Sequence, residues 1–171
     1  MGTTIFLIIL TLVFSAIFSG IEIAFLSANK LKIELSYQRG TLSGKILNDY
    51  IKNPSKFIIT TLLGNNIVLI TFGILCAGLL EPILDRYLAS HVLVIAIQTI
   101  ISTIIVLFFG EYVPKVIFKV FADTILPIMA VPFRIIHYLL TPGVVFINGI
   151  SQLLFKAFGV KVSEHDFQFS T

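Results

Sequence analysis

Apolar and polar positions in this 171-residue chain come in long blocks rather than in alternation. Ile5–Ala28 is apolar for about 24 residues, with only small or isolated polar side chains. A polar block, Asn29–Lys56, follows, then a second apolar run, Phe57–Leu80, closed by Glu81-Pro82. Asp85, Arg86 and His91 mark a short polar turn, after which a third apolar run leads through Gly110 towards Lys119. In a helix, roughly 20 apolar residues at about 1.5 Å each cross a hydrocarbon core of about 30 Å. The pattern predicts an all-α membrane protein with three transmembrane helices, over about 5–28, 57–80 and 91–117.

The polar block is expected to hold short juxtamembrane helices over about 30–52, divided at Arg39-Gly40. Asn53-Pro54 then reads as an N-cap with proline at the first helical position. Two further stretches, about 123–141 and 142–159, are interrupted by Pro127, Pro132, Pro142 and Gly143. They also carry Arg134, His137, Asn148, Gln152 and Lys156, so they are expected as amphipathic helices lying on the cytoplasmic face, with a fourth or fifth span as the alternative. Residues 1–160 thus read as one membrane domain, and 161–171 as a polar linker towards a cytosolic domain.

Composition agrees with lipid as the solvent. The chain is 57% hydrophobic and 12% charged, against roughly 25% charged in a soluble domain. A net charge of +3 gives no sign of a nucleic-acid partner. The single cysteine, Cys76, excludes an internal disulfide and a thiolate metal cluster. Met1–Thr4 has no basic residue, and the first apolar run exceeds the roughly 7–15 residues of a signal h-region. Six basic residues fall in 29–56 (Lys30, Lys32, Arg39, Lys45, Lys52, Lys56) and one in the next loop, Arg86. The positive-inside rule therefore puts loop 29–56 in the cytoplasm and the N-terminus outside, in a multi-pass protein of the cell membrane.

Candidate chemistry lies where polar groups interrupt the spans, because an ionisable group in lipid is expensive to keep. Ser19 and Glu22 share one face of the first span, with Gly20 between them. The second span carries Gly64-Asn65-Asn66, and the third carries Gly110-Glu111 with Pro114 and Lys115 beyond. Measured from the cytoplasmic ends at about 1.5 Å per residue, Glu22, Asn65 and Glu111 lie roughly 10–12 Å deep, and Ser19 roughly 15 Å. Pro114 has no N–H, so the Gly110 carbonyl loses its helical donor. Hydroxyl, amide, carboxylate and carbonyl oxygens together suit Mg²⁺, Ca²⁺ or Na⁺ rather than Zn²⁺ or Cu⁺. Gln98, His91 and His137 read as structural or interfacial. No Ser/His/Asp, His-rich or paired-aspartate constellation points to an enzyme.

Phe18-Ser19-Gly20-Ile21-Glu22, Leu63-Gly64-Asn65-Asn66 and Phe109-Gly110-Glu111-Tyr112-Val113-Pro114-Lys115, in this order on three spans, resemble the CNNM/CorC transmembrane domain. The resemblance implies a homodimer that exports Mg²⁺, driven by Na⁺ entry. It implies Mg²⁺ contacts at Ser19, Asn65, Asn66, Gly110 and Glu111, with Glu22, Gly20 and Pro114 supporting them or forming a Na⁺ site. It further implies cytosolic CBS-type regulatory domains beyond this chain. A Mg²⁺ sensor or scaffold that does not transport is the competing expectation. A pore-forming, haemolysin-like protein is disfavoured by the intact spans.

Overall fold

The computed structural model describes residues 1–157, and the linker expected at 161–171 lies outside them. The described chain is an all-α membrane protein with no strand. In order it forms α1 (Gly2–Ser27), α2 (Lys30–Gln38), α3 (Leu42–Lys52), α4 (Pro54–Leu84) and α5 (His91–Ile105). A π-helical segment, Val106–Tyr112, joins α5 to α6 (Val113–Val120), and α7 (Ala122–Ala157) follows. The short polar helices are capped by their own sequence. Asn29 accepts from the Leu31 N–H at 2.9 Å to start α2, and Thr41 Oγ1 accepts from the Gly44 N–H at 3.1 Å to start α3.

Four described helical stretches, not the expected three, are long and apolar enough to cross a membrane: Gly2–Ser27, Pro54–Leu84, His91–Val120 and Ala122–Phe146. The fourth corrects the expectation of separate helices at 123–141 and 142–159. Pro127, Pro132 and Pro142 all lie inside the single helix α7. An interior proline costs about 3 kcal/mol. The helix nevertheless runs on through all three and keeps its other backbone groups paired. Little of any of these four stretches is buried within the protein. Ile70, Ile74 and Ile104 are each more than 60% exposed, as suits side chains solvated by acyl chains.

The chain divides into two compact units. The first joins Met1–Ala28 to Gly64–Leu126. Here α1 packs on α6 and on the π-helical segment, and Phe18, Ile21, Ala24, Phe72, Cys76 and Val94 are buried. The second joins Asn29–Leu63 to the chain from Pro127 onward. In it α2 packs on α3, and Tyr50, Phe57 and Phe133 are buried together, with ring centroids 4.2–5.7 Å apart.

Candidate functional site

The first unit gathers polar groups from three of its helices. Ser15 on α1 is fully buried. Its Oγ lies 2.9 Å from Asn65 Oδ1 on α4 and 3.4 Å from the Gly110 carbonyl oxygen on the π-helical segment. One hydroxyl proton serves two acceptors, so the shorter contact to Asn65 takes most of it. The Gly110 oxygen is approachable for a local reason. Pro114 supplies no N–H four residues on, and the chain is wound wider here, with the Val113 N–H reaching back to the Phe108 carbonyl. Such π turns leave carbonyls loosely paired and recur at functional sites.

Close approach of the helices depends on two glycines. A Cβ at Gly64 would lie 2.5 Å from Phe18 Cε1 and Cζ, and a Cβ at Gly20 would lie 2.5 Å from Phe118 Cγ. Only glycine leaves room for those rings, and the ring of Phe18 sits one turn from Ser15.

The other anticipated residues are distributed around this cluster. Ser19, one turn beyond Ser15, is buried, and its Oγ has no hydrogen-bond partner among the described residues. Asn66 is exposed, so the structure separates it from Asn65. Glu111 is partly buried, and its Oε2 lies 3.6 Å from Lys115 Nζ, a pair four residues apart along the chain. The Glu22 carboxylate is near enough for the charges of both Glu111 and Lys115 to act on it. Pro114 is buried.

Ser15 is absent from the residues that the sequence singles out, and Gln98 is read there as structural or interfacial. Serine is common among small residues in an apolar helix. The available signal was its spacing, because Ser15 and Ser19 are four apart and share a face. Gln98 is buried, and its Oε1 has no hydrogen-bond partner among the described residues. It lines a cavity of about 330 Å³ between α4, α5 and the π-helical segment, and Glu111 stands in the same wall. The rest of that lining is mainly apolar or hydroxylic, with Phe72, Gly73 and Ser102 among it. Away from this region, Glu81, Asp85 and His91 bring one ligand atom each within 4.8 Å of one another.

The family described as the Cyclin M transmembrane N-terminal domain matches residues 6–171. The chain belongs to this CNNM transmembrane-domain family. Among curated relatives, it is 30% identical to the UPF0053 protein YrkA of Bacillus subtilis over 98% of this chain and 41% of the relative. It is 29% identical to the UPF0053 inner membrane protein YfjD of Escherichia coli, over 86% of this chain and 33% of the relative. It is 25% identical to the polyamine export protein of Escherichia coli, over 97% of this chain and 39% of the relative. The chain thus spans between 33% and 41% of the length of these relatives.

Proposed function

We propose that this CNNM domain carries a cation across the membrane, and that the cation is Mg²⁺. The convergence of Ser15, Asn65 and Gly110 oxygens from three helices, next to Glu111, carries the proposal. These are hard oxygen donors with a carboxylate on the residue after Gly110, which suits a small divalent ion that keeps part of its water shell. Ser19 adds a buried hydroxyl without a protein partner. The Ser15 hydroxyl donates to Asn65 Oδ1, and Lys115 lies 3.6 Å from Glu111. An arriving ion takes over both oxygens and displaces the ammonium group. Glu22 supplies further negative charge and is the candidate for a Na⁺ contact. Outward release follows when α1, α4 and the π-helical segment move apart, in a homodimer oriented with loop 29–56 in the cytoplasm. Cytosolic regulatory domains of the CBS type complete the protein in this reading.

The test is a calorimetric Mg²⁺ titration of the purified chain beside Glu111→Gln, each repeated with His91→Ala to silence the exposed Glu81–Asp85–His91 group. Saturable binding that survives His91→Ala and disappears with Glu111→Gln is expected. Binding unchanged by Glu111→Gln overturns the site. Flux into liposomes separates a transporter from a sensor, which binds without transport.

A second reading, an organic polycation as cargo, is favoured by the cavity beside Glu111. Gln98 and Glu111 both line it, on an otherwise largely apolar surface. Ammonium groups joined by methylene chains match such a lining, and one relative is named for polyamine export. Spermidine that competes with Mg²⁺, and loses its own binding in Gln98→Leu, supports this cargo over the ion.

A further inference from the structure

The second unit contains a polar cavity that the transport reading does not use. It has a volume of about 320 Å³ and is lined from α3 by Tyr50 and Lys52, from the α3–α4 junction by Asn53, from α4 by Lys56, and from α7 by Arg134 and His137. Three permanent cations, Lys52, Lys56 and Arg134, stand against one carboxylate, Asp49, leaving a formal excess of two positive charges. Asp49 is committed to Arg134 at 3.0 Å. Neither Lys52 nor Lys56 has an acidic partner among the described residues. The positive end of the 31-residue helix α4 begins at Pro54, beside Asn53, and adds to the same field.

Tyr50 supplies an independent observation. Its side chain is 3% exposed, and its hydroxyl has no hydrogen-bond partner among the described residues. The ring is held edge-on by Phe57 and Phe133, and the hydroxyl lies close enough to Asp49, Arg134 and Tyr138 to feel their charges. An unpaired buried hydroxyl costs about 1–3 kcal/mol. A wall with excess positive charge and a spare donor is built for an anion with several acceptor oxygens.

Depth along α4 indicates which anion. Lys56 is the last charged residue before the apolar run that opens at Phe57. The cavity therefore sits where hydrocarbon gives way to headgroups, and Tyr138 on α7 adds an aromatic side chain of the kind enriched at that level. We propose that this cavity binds a phosphate group, and that the phosphate is the headgroup of an anionic phospholipid. Basic pockets at the membrane boundary recognise such headgroups by charge. Lys52 and Lys56 supply that charge, and Asn53 and Tyr50 in the same lining carry the groups that can donate.

The full chain would be purified in detergent micelles doped with phosphatidic acid or phosphatidylcholine, and retained lipid counted by native mass spectrometry. Wild type is expected to keep phosphatidic acid in preference. The exposed pair Lys52→Gln and Lys56→Gln should weaken retention about fivefold per lysine, about 25-fold together. Tyr50→Phe keeps the ring packing, loses only the donor, and should weaken retention about two- to tenfold. Circular dichroism confirms that the variants keep their helix content. Failure of millimolar inorganic phosphate to displace the lipid supports the headgroup as the source. Displacement supports the same site taking free phosphate instead. Equal retention of both lipids, or retention unchanged in both variants, overturns the proposal. None of these outcomes depends on Mg²⁺ binding in the first unit.

Discussion

Replacing Gly64 with alanine should force α1 and α4 apart and weaken cation binding without touching an oxygen of the candidate site. The added Cβ would lie 2.5 Å from Phe18 Cε1 and Cζ and 3.0 Å from Cδ1. Carbon atoms prefer about 3.5–4.0 Å, so at least 1 Å must be found. The Phe18 ring is 6% exposed and cannot swing away into lipid. Overpacking of this kind costs about 1–3 kcal/mol. If the helices supply the space by separating about 1 Å, the 2.9 Å Ser15–Asn65 contact passes beyond hydrogen-bond range. An ion displaces that bond rather than using it, so the affinity loss comes from bringing the separated oxygens back onto one ion against overpacking of about 1–3 kcal/mol, and Mg²⁺ should bind about fivefold or more weakly.

Two assays measure the two halves of that argument: thermal unfolding followed by circular dichroism, and calorimetric titration. Phe18→Leu in the Gly64→Ala background shortens the obstructing ring and should restore both stability and affinity in a double-mutant cycle. Unchanged unfolding and unchanged affinity in Gly64→Ala would refute the close approach. Lost stability with intact affinity would refute the link between helix spacing and the site.

The remaining expectations probe other contacts. Lys115→Met removes the cation held 3.6 Å from Glu111; since such pairs are worth up to about 1 kcal/mol, Mg²⁺ should bind about two- to fivefold more tightly, and weaker binding would show that Lys115 helps to build the site. Thr60 Oγ1 lies 2.6 Å from both the Lys56 carbonyl and His137 Nδ1; its one proton goes to the carbonyl, so His137 Nδ1–H donates to it. Thr60→Val should strand that donor at about 1–3 kcal/mol and lower the melting temperature by about 2–12 °C, whereas an unchanged melting temperature would deny the bond. Burial pushes the Tyr50 hydroxyl up from 10.0 to about 12, with Arg134 opposing and Tyr138 and Asp49 adding. Because the folded state keeps this proton longer than the unfolded one, the contribution to stability is intact below about pH 10 and is lost as pH rises from about 10 to 12. A tyrosinate absorbance step near pH 12 should vanish in Tyr50→Phe, and its persistence would assign it elsewhere.

Long-range order in this chain was legible where one physical requirement dominated. Lipid demands unbroken apolar helices, so the runs beginning at Ile5, Phe57 and Val92 announce themselves. Asn29 and Thr41 announce helix starts because their side chains replace missing backbone partners. The continuity of α7 through Pro127, Pro132 and Pro142 is not written in the sequence, because each proline removes one donor yet leaves the rest of the helix ladder intact.

The candidate site was legible in its rare groups and hidden in its common ones. Asn65, Gly110 and Glu111 stand out because amides, glycine-proline spacing and carboxylates are costly in a span. Ser15 does not, since a hydroxyl can always bond back to its own helix and so carries no penalty that a sequence would show. Its role exists only because Gly64 admits Phe18, which lets Asn65 and Gly110 approach one turn away. The π register has the same origin. Pro114 removes a donor, and a helix short of one donor can be wound wider at little further cost, but nothing in the apolar run Val106–Phe109 says that it is. Conversely, the separation of Asn65 from Asn66 needs no distance information. Adjacent residues on a helix diverge by about 100°, so once one of them is fixed against Ser15 the other is directed away. The motif Gly64-Asn65-Asn66 thus contains one inward amide by geometry, and the contact with Ser15 identifies it as Asn65.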